Sequence, residues 1–558
     1  MGEDVRRILL AVSLSFVVMF CWQHFFPQKR LDANPADTNP RLVTLNTHLS
    51  RNSATAFVLP KTENIPRVNI ATPSLKGSIS TLGLTMDDIC LVKHKNTTGA
   101  DAKPVEFLKK LSHFVSIKFW AEDSNLDLPG PSTLWRAHGT NLTPTTPIKF
   151  DWTNSQGIKF IVNLSVDENY LFTFDTSLVN SSREKICCAP CVQICKSKEA
   201  IQESIEESSH NGAIGAVDKQ VKDYSYKKLA KDGNLTINTK AFNWFGLTDK
   251  YWLTALIADK QTTASVLVEN LQIMGSQYVS NVISYAGQEL SPGATNMGKF
   301  YLFVGAKNVV LLDRYRDELG AVLLDRAIDF GWIYFLAKPL FHVLNFFFGL
   351  VQNFGVSIIL LTLTVRIFTF ALVLKSDRTM RKMKELQPKM QRIKELYKDD
   401  PEKLRKEILG LYKREKISPI GCLPMLAQLP VFFGVLKVLE VALEMRHAPF
   451  FLWISDLSAR DPSNIFTLFG VLPWSPPTLL HLGVWPLLMF FSMYLQQKIS
   501  PKPDDPMQAK MFAIMPLVML CVLCNSPVGV MIYWTWNNCF GILQQYLMNL
   551  LSKRRAKV

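Results

Sequence analysis

Apolar positions are laid out along this chain in two unlike ways. Between residue 28 and about residue 325 they alternate with polar ones over short stretches. IKFDW (148–152) and, after Gly157, IKFIVNLSV (158–166) place every second side chain on one apolar face. Asp167–Glu168–Asn169 interrupts as a turn, and YLFTFDTSLV (170–179) resumes the alternation. A period of two broken by polar turns predicts half-buried strands, and many such strands predict an all-β sandwich over residues 61–325. Residues 28–60, rich in Asn, Pro and Thr, read as a linker.

Elsewhere the apolar positions run together. One run is Ile8–Phe26, and five more cover roughly 354–375, 420–443, 479–497, 511–525 and 528–549. At about 1.5 Å per residue, some 20 residues cross the ~30 Å hydrocarbon core of a bilayer. The run at 511–525 is short, and only Asn525–Ser526–Pro527 separates it from the last, so 511–549 reads as a tight helical hairpin. The first run follows Arg6 and Arg7 and admits three readings: cleaved signal peptide, lipoprotein signal or retained anchor. Phe20 precedes Cys21 where a lipoprotein needs a small residue, and no small-x-small site follows closely, the run ending in Trp22, His24, Phe25 and Phe26. The expectation is an uncleaved anchor over residues 1–27. Residues 328–350 are apolar too, but Asp329, Lys338, His342 and Asn345 interrupt them, with Pro339 in the middle. That pattern predicts an amphipathic helix in the outer interface over 326–352.

Charge supplies an orientation. The chain has 62 Lys+Arg against 47 Asp+Glu, a net of +15, of which the segment 376–418 carries +6, the tail Lys553, Arg554, Arg555, Lys557 +4, and 498–510 +1. Under the positive-inside rule these three pieces face the cytoplasm. The N-terminus is then inside and the β-domain outside. A span at 353–375 and four more within 419–550 bring the tail 551–558 back inside. The expected fold class is a polytopic α-helical membrane protein of six spans with a large all-β domain outside. A crossing at 328–350 would put the basic 376–418 segment on the wrong side.

Composition closes off other classes. A hydrophobic share of 48% with 12 Trp and 35 Phe excludes a disordered chain, and ten cysteines in so long a chain do not make a disulfide scaffold. The mean hydropathy of +0.10 averages the two regimes.

One charge is out of place. Arg366 sits near the middle of VSIILLTLTVRIFTFALVL (356–374), where a cation costs about 2.5–3.5 kcal/mol on insertion scales. The ordinary explanation is an internal ion pair, yet the spanning runs offer no acid at matching depth; Glu440 and Glu444 fall at the outer end of theirs. A guanidinium without a counter-charge at mid-depth calls for water, hence a hydrated cavity between helices. Thr362, Thr364, Gln428, Asn537 and Asn538 are the polar candidates to line it.

The basic segment is patterned as well. Met380, Met383, Met390, Ile393 and Leu396 recur at helical spacing among Lys and Arg. Asp399–Asp400–Pro401 ends one helix and caps the next, along which Leu404, Ile408 and Leu411 continue the stripe. This predicts a cytoplasmic helical hairpin. Arg378, Arg381, Lys382, Lys384, Lys389 and Arg392 would form a docking face for anionic lipid, a partner protein or ribosomal RNA. The alternative is a basic loop that only sets topology.

These stretches together resemble the YidC/Oxa family of membrane protein insertases, in the long form found in Gram-negative bacteria. GLTDKYWLTALI (246–257) is similar to a strand region of that form's sandwich domain. FGVSIILLTLTVRIFTF (354–370) resembles the family's second span, with Arg366 at its arginine, and SPIGCLPMLAQLPVFFGV (418–435) resembles the third. EMRHAPFFLWISDLSARDP (444–462), DPMQAKMFAIMP (505–516) and SPVGVMIYWTWNN (526–538) continue the likeness over essentially the whole chain. The resemblance implies a periplasmic β-supersandwich and a five-helix insertase core around a water-filled groove, closed outside and open to cytoplasm and lipid. It implies that Arg366 draws acidic or polar parts of a nascent chain into that groove. Leu429, Phe432 and Trp534, with Thr362, match positions of a hydrophobic slide on which a substrate helix rests; Trp534 stands where a tyrosine is expected. The PWSPP stretch (473–477) is an insertion that lengthens the outer loop.

The implied function is insertion and chaperoning of inner-membrane proteins, alone or beside the Sec translocon. Nascent membrane proteins are the expected partners, together with the ribosome and anionic lipids. Two other functions compete: a transporter or channel for a small anion held by Arg366, and a periplasmic sensor or scaffold that the helices merely anchor. A transporter would show internal repeats, and none is visible; a scaffold leaves Arg366 unexplained. No cofactor is expected, since neither a Walker-type glycine loop nor an HExxH occurs. No nucleophile–base constellation points to an enzyme, and a sugar-binding role for the sandwich would rest on fold analogy alone. Cys187, Cys188, Cys191 and Cys195 have a spacing that could hold metal, but outside the cytoplasm disulfides or plain thiols are the expectation.

Overall fold

The computed structural model describes residues 65–555, apart from 100, 124, 208–210, 274, 398–399, 416–422, 468–481, 500–505 and a number of helix side chains. The expected anchor (1–27) and linker (28–60), and the side chains of the basic tail, lie outside the described residues. The chain divides into two compact units at Asp329/Phe330.

The first unit is built from strands whose alternation was legible in the sequence. Ile158–Val166 buries Ile158, Phe160, Val162, Leu164 and Val166 and turns the residues between them outward or to the margin. Its neighbours Ile148–Thr153 and Leu171–Asn180 pair with it antiparallel, register Phe150↔Val162 and Phe174↔Leu164. This sheet continues from Leu171–Asn180 to Thr295–Ala306 and then to the first part of Trp252–Ile273. Through the second part of that 22-residue strand the same continuous sheet of 18 strands passes into its other layer, pairing with Ser276–Tyr285, which leads to Ile186–Ser197 and His113–Ala121. Leu235–Thr248 follows the long strand around the corner, and its register slips between Thr239 and Trp244. Such irregularities let a strand pair bend from one layer into the next.

Aromatic rings fill the space between the layers: Phe119 meets Phe160 at 5.0 Å and Phe242 meets Tyr285 at 6.1 Å. Each such ring removed from water contributes about 1.5–3 kcal/mol. Among the described residues, three α-helices decorate the sandwich: α1 (Lys198–Glu207), α2 (Tyr226–Asp232) and α3 (Val309–Leu319).

The second unit is helical: α4 (Tyr334–Val351), α5 (Phe354–Leu396), α6 (Pro401–Arg414), α7 (Leu423–Val441), α8 (Val484–Ile499), α9 (Pro506–Leu523) and α10 (Val528–Arg555). α4 buries Ala337, Leu340, Phe341 and Leu344, a stripe at helical spacing, and packs it on α5 and α7. Its other face exposes Phe335, Phe346 and Leu350. By length and composition two described stretches, Gly331–Val351 and Phe354–Ala371, could cross a membrane; the apolar part of α9, Ala509–Leu523, is shorter.

α5 does not stop at 375. It continues to Leu396 through Pro388, a helix of 43 residues and about 65 Å, roughly twice the thickness of a hydrocarbon core. Asp400 caps α6, its carboxylate accepting from Lys403 N at 3.1 Å, and Pro401 takes the first helical position where no N–H is missed.

Candidate functional site

The apolar half of α5 carries four hydroxyls before and after its single arginine. Ser357, Thr362, Thr364 and Thr369 each donate to the carbonyl four residues back, at 2.6–2.9 Å. A helix that cannot rely on water satisfies short polar side chains in this way. Thr362 is fully buried, and its hydroxyl proton goes to Ile358 O rather than outward.

Arg366 is too long for that solution and reaches α10. Its Nε donates to Asn537 Oδ1 at 2.8 Å and its Nη2 to Asn537 O at 2.6 Å. Both acceptors are neutral, and among the described residues no carboxylate lies within ion-pair distance of the guanidinium. The next residues, Ile367 and Phe368, point away and are largely exposed.

Room for the guanidinium comes from Gly541, one turn beyond Asn537. A Cβ there would stand 3.1 Å from Arg366 Nη2 and 2.7 Å from Gln496 Nε2 of α8. Three helices therefore converge on one cation beside Gly541, where a Cβ would press on the ends of the Gln496 and Arg366 side chains. Sequence reading found Asn537 and missed Gly541 and Gln496; the available signal was a glycine four residues after a polar residue, on the same helix face. On α10, Thr535 Oγ1 and Gln544 Nε2 are buried without a hydrogen-bond partner among the described residues. Buried polar atoms of that kind call for water or a ligand.

Asn538 faces another way, with Nδ2 donating to Ser492 Oγ at 3.0 Å and tying α10 to α8. Phe432 of α7 meets Trp534 of α10 edge-on at 4.5 Å, and Trp534 also packs on Met489, Leu523 and Met531. Gln428 and Leu429 belong to α7, but their side chains lie outside the described residues, as do those of Arg378, Arg381, Lys382 and Lys384 on α5. Lys389 and Arg392 are exposed, and Lys389 reaches Glu415 at 3.4 Å.

In the sandwich, the GLTDKYW stretch forms the turn between the two longest strands, and Asp249 is its centre. Lys196 Nζ lies 2.6 Å from both Asp249 oxygens and 2.7 Å from Ser204 Oγ. Burial works against the Asp249 charge, but Lys196 outweighs it and holds the carboxyl below the usual range. Lys307, equally buried, donates to Thr248 Oγ1 and Ala327 O, and burial pushes it down to about 8. His113, bonded to Thr254 Oγ1, is pushed down to about 3 by burial, assisted by the Lys196 charge.

Cys187, Cys188, Cys191 and Cys195 all fall on the strand Ile186–Ser197, none of them disulfide-bonded. Along a strand, residues four apart are about 13 Å apart and odd separations point to opposite faces. A disulfide needs Cα atoms within ~7 Å, so these four cannot close on one another or share a metal. Cys191 and Cys195 instead pack as small apolar side chains, against Trp120 and Phe114 respectively.

The family model described as YidC periplasmic domain matches residues 67–343, and that described as 60Kd inner membrane protein matches 346–555. A relative from Rickettsia conorii named membrane protein insertase YidC is 40% identical over 562 residues, 98% of this chain and all of that protein. One of the same name from Rickettsia bellii is 39% identical over 99% of this chain. A crystal structure described as an active YidC insertase with the first transmembrane domain resolved matches 91% of this chain and 98% of its own at 16% identity, TM-score 0.34.

Proposed function

Because the chain belongs to the YidC family of membrane protein insertases, we propose that it inserts newly made inner-membrane proteins through a wet groove centred on Arg366 and open to the cytoplasm. The observation that carries this reading is the set of neutral partners around that guanidinium: Asn537 supplies both acceptors, and among the described residues no carboxylate lies close enough to cancel the charge.

The costly step of insertion is moving a polar tail across ~30 Å of hydrocarbon, because its peptide groups and charges lose their water. A half-channel that wets the inner leaflet shortens the dry distance. The unpartnered Gln544 Nε2 on α10, two turns from Asn537 on the same helix face, supports water there. Arg366, in surroundings of low dielectric, attracts an acidic tail more strongly than it would in bulk water. The substrate's own apolar helix then drives release into lipid at about 0.3–0.6 kcal/mol per large apolar residue, sliding over Leu429, Phe432 and Trp534. No nucleotide enters this scheme.

The sandwich would lie in the periplasm, joined to six spans counted from the anchor at 1–27, with both termini inside. α4 would rest in the outer interface: its stripe of buried residues and its exposed aromatic face suit that position. The α5–α6 hairpin would reach the ribosome or anionic lipid through its basic face, and larger substrates would be handled beside the Sec translocon.

The test is depletion followed by insertion of small single- and double-span substrates. Photocrosslinkers at Phe432 and Trp534 should capture a stalled nascent chain. Normal insertion under full depletion, or crosslinks to lipid alone, would remove the proposal.

A further inference from the structure

Between α7 and α8 the chain forms a turn held by one buried carboxylate. Asp461 is 3% exposed. Its Oδ1 accepts from Trp453 Nε1 at 3.0 Å, Ser463 N at 3.0 Å and Ser463 Oγ at 2.6 Å. Its Oδ2 accepts from Trp485 N at 2.9 Å, in the first turn of α8. The turn also closes on itself, Phe450 N donating to Ile454 O at 2.9 Å, while Ile454 and Leu457 are buried. Phe450 lies so close over Gly355 that a Cβ there would come within 1.9 Å of its ring, which fixes the turn to the start of α5.

This rigid turn directs three consecutive bulky side chains outward: Phe451, Leu452 and Trp453 are 58%, 88% and 41% exposed. Leu452 holds φ +61°, a left-handed conformation that leucine rarely adopts, so its outward aim is imposed by the turn. The Trp453 indole N–H is already satisfied by Asp461, leaving its ring free to enter an apolar medium without an orphaned donor. Arg460, exposed and held by Asn525 Oδ1 at 3.2 Å, is the sequence neighbour of the carboxylate that holds Trp453.

We propose that Phe451–Leu452–Trp453 is a wedge that enters the outer leaflet at the boundary between headgroups and acyl chains, with Arg460 at the level of the lipid phosphates. The inference rests on the reading of α5 as a span, since the contact of Phe450 with Gly355 puts the wedge at that span's outer end. Three further features select lipid as the occupant. Leu and Phe tips carry no hydrogen-bonding group, Trp is the residue that membrane interfaces favour, and the cation beside them complements phosphate. The exposed Leu350 and Val351, at the end of α4 just before α5 begins, continue the apolar surface at this level.

The test uses the full-length protein with its accessible native cysteines replaced by serine, reconstituted in vesicles of phosphatidylethanolamine and phosphatidylglycerol. An environment-sensitive fluorophore is placed at Leu452→Cys, at Leu363→Cys midway along the apolar half of α5, and at Met297→Cys, an exposed sandwich residue. Lipids carry a spin-label quencher either near the headgroup or near the acyl chain end. At Leu452 the shallow quencher should act roughly twofold more strongly than the deep one, with the reverse order at Leu363 and no quenching at Met297. Quenching at Leu363 with none at Leu452 would overturn the wedge and leave the span intact; that outcome includes occupation by a protein, a second copy or another segment of this chain. No quenching at either position would remove the span itself, and the wedge with it.

Discussion

Lys196 and Arg366 are both cations drawn away from solvent, one in the sandwich and one in the helical unit, yet their partners differ in kind. Lys196 lies 2.6 Å from both oxygens of Asp249 and is capped by Ser204. Among the described residues, Arg366 donates to the amide oxygen and main-chain carbonyl of Asn537 and to no carboxylate. A paired charge is spent on holding strands together, and its field is cancelled at short range. A charge satisfied by neutral dipoles keeps its field, and an anionic segment that approaches can still gain from it. The difference separates a cation that ties strands together from one whose field stays available, which is what the proposed role of Arg366 requires.

The largest effect should come from breaking the pair on one side. Lys196→Met leaves Asp249 buried without compensation and should cost about 3–5 kcal/mol in unfolding of the sandwich, read by urea titration of its tryptophan fluorescence. K196M/D249L should recover most of that loss. Arg366→Met strands no counter-charge and should stay within about 1 kcal/mol of the parent; an equal loss at both sites would erase the contrast.

His113 tests the same dry site by pH. Its folded pKa is lowered to about 3, while the unfolded chain takes up that proton near 6.5. Stability is therefore complete above about 6.5 and is lost as pH falls toward about 3. The lowered Asp249 adds a loss of the same sign in the acid part of that range. His113→Phe should flatten the melting temperature between pH 6.5 and 4.5; an unchanged slope would locate the titration elsewhere.

On the helical side the readout is insertion. Arg366→Ala should lower insertion of a substrate with an acidic translocated tail on the order of tenfold, or about 1.4 kcal/mol, and leave a neutral tail nearly unaffected. Equal losses for both tails would argue against capture by charge. Gly541→Leu, which fills the notch beside Arg366 Nη2, should produce a weaker version of the same tail-dependent loss, measured in parallel. At the bottom of the scale, Lys389→Ala removes an exposed pair with Glu415 and should change hairpin stability by no more than about 0.5 kcal/mol by thermal unfolding.

The sequence carried more of the fold than of the site. Strands such as Ile158–Val166 were legible because half-burial imprints a period of two on the residues themselves. Asp400–Pro401 was legible as a helix start because capping is chemistry local to a few residues. At Cys187–Cys195 the plain-thiol reading fits, because metal-like spacing on an extended strand brings nothing together. What the sequence does not display is that the Thr362 hydroxyl folds back on its own helix. Gly541 and Gln496 went unseen because their meeting with Arg366 exists only where three helices pack together.

From its residues alone, this chain declares an alternating β region, a set of long apolar runs with basic flanks, and one arginine stranded among leucines and threonines. Those are consequences of periodicity, length and charge, which every sequence displays directly. Which atoms meet that arginine, that they are neutral, and that a missing Cβ makes space for it were settled only when α5, α8 and α10 packed. Contacts between residues more than a hundred positions apart depend on how helices approach one another, and the order of residues along the chain holds no local trace of that distance.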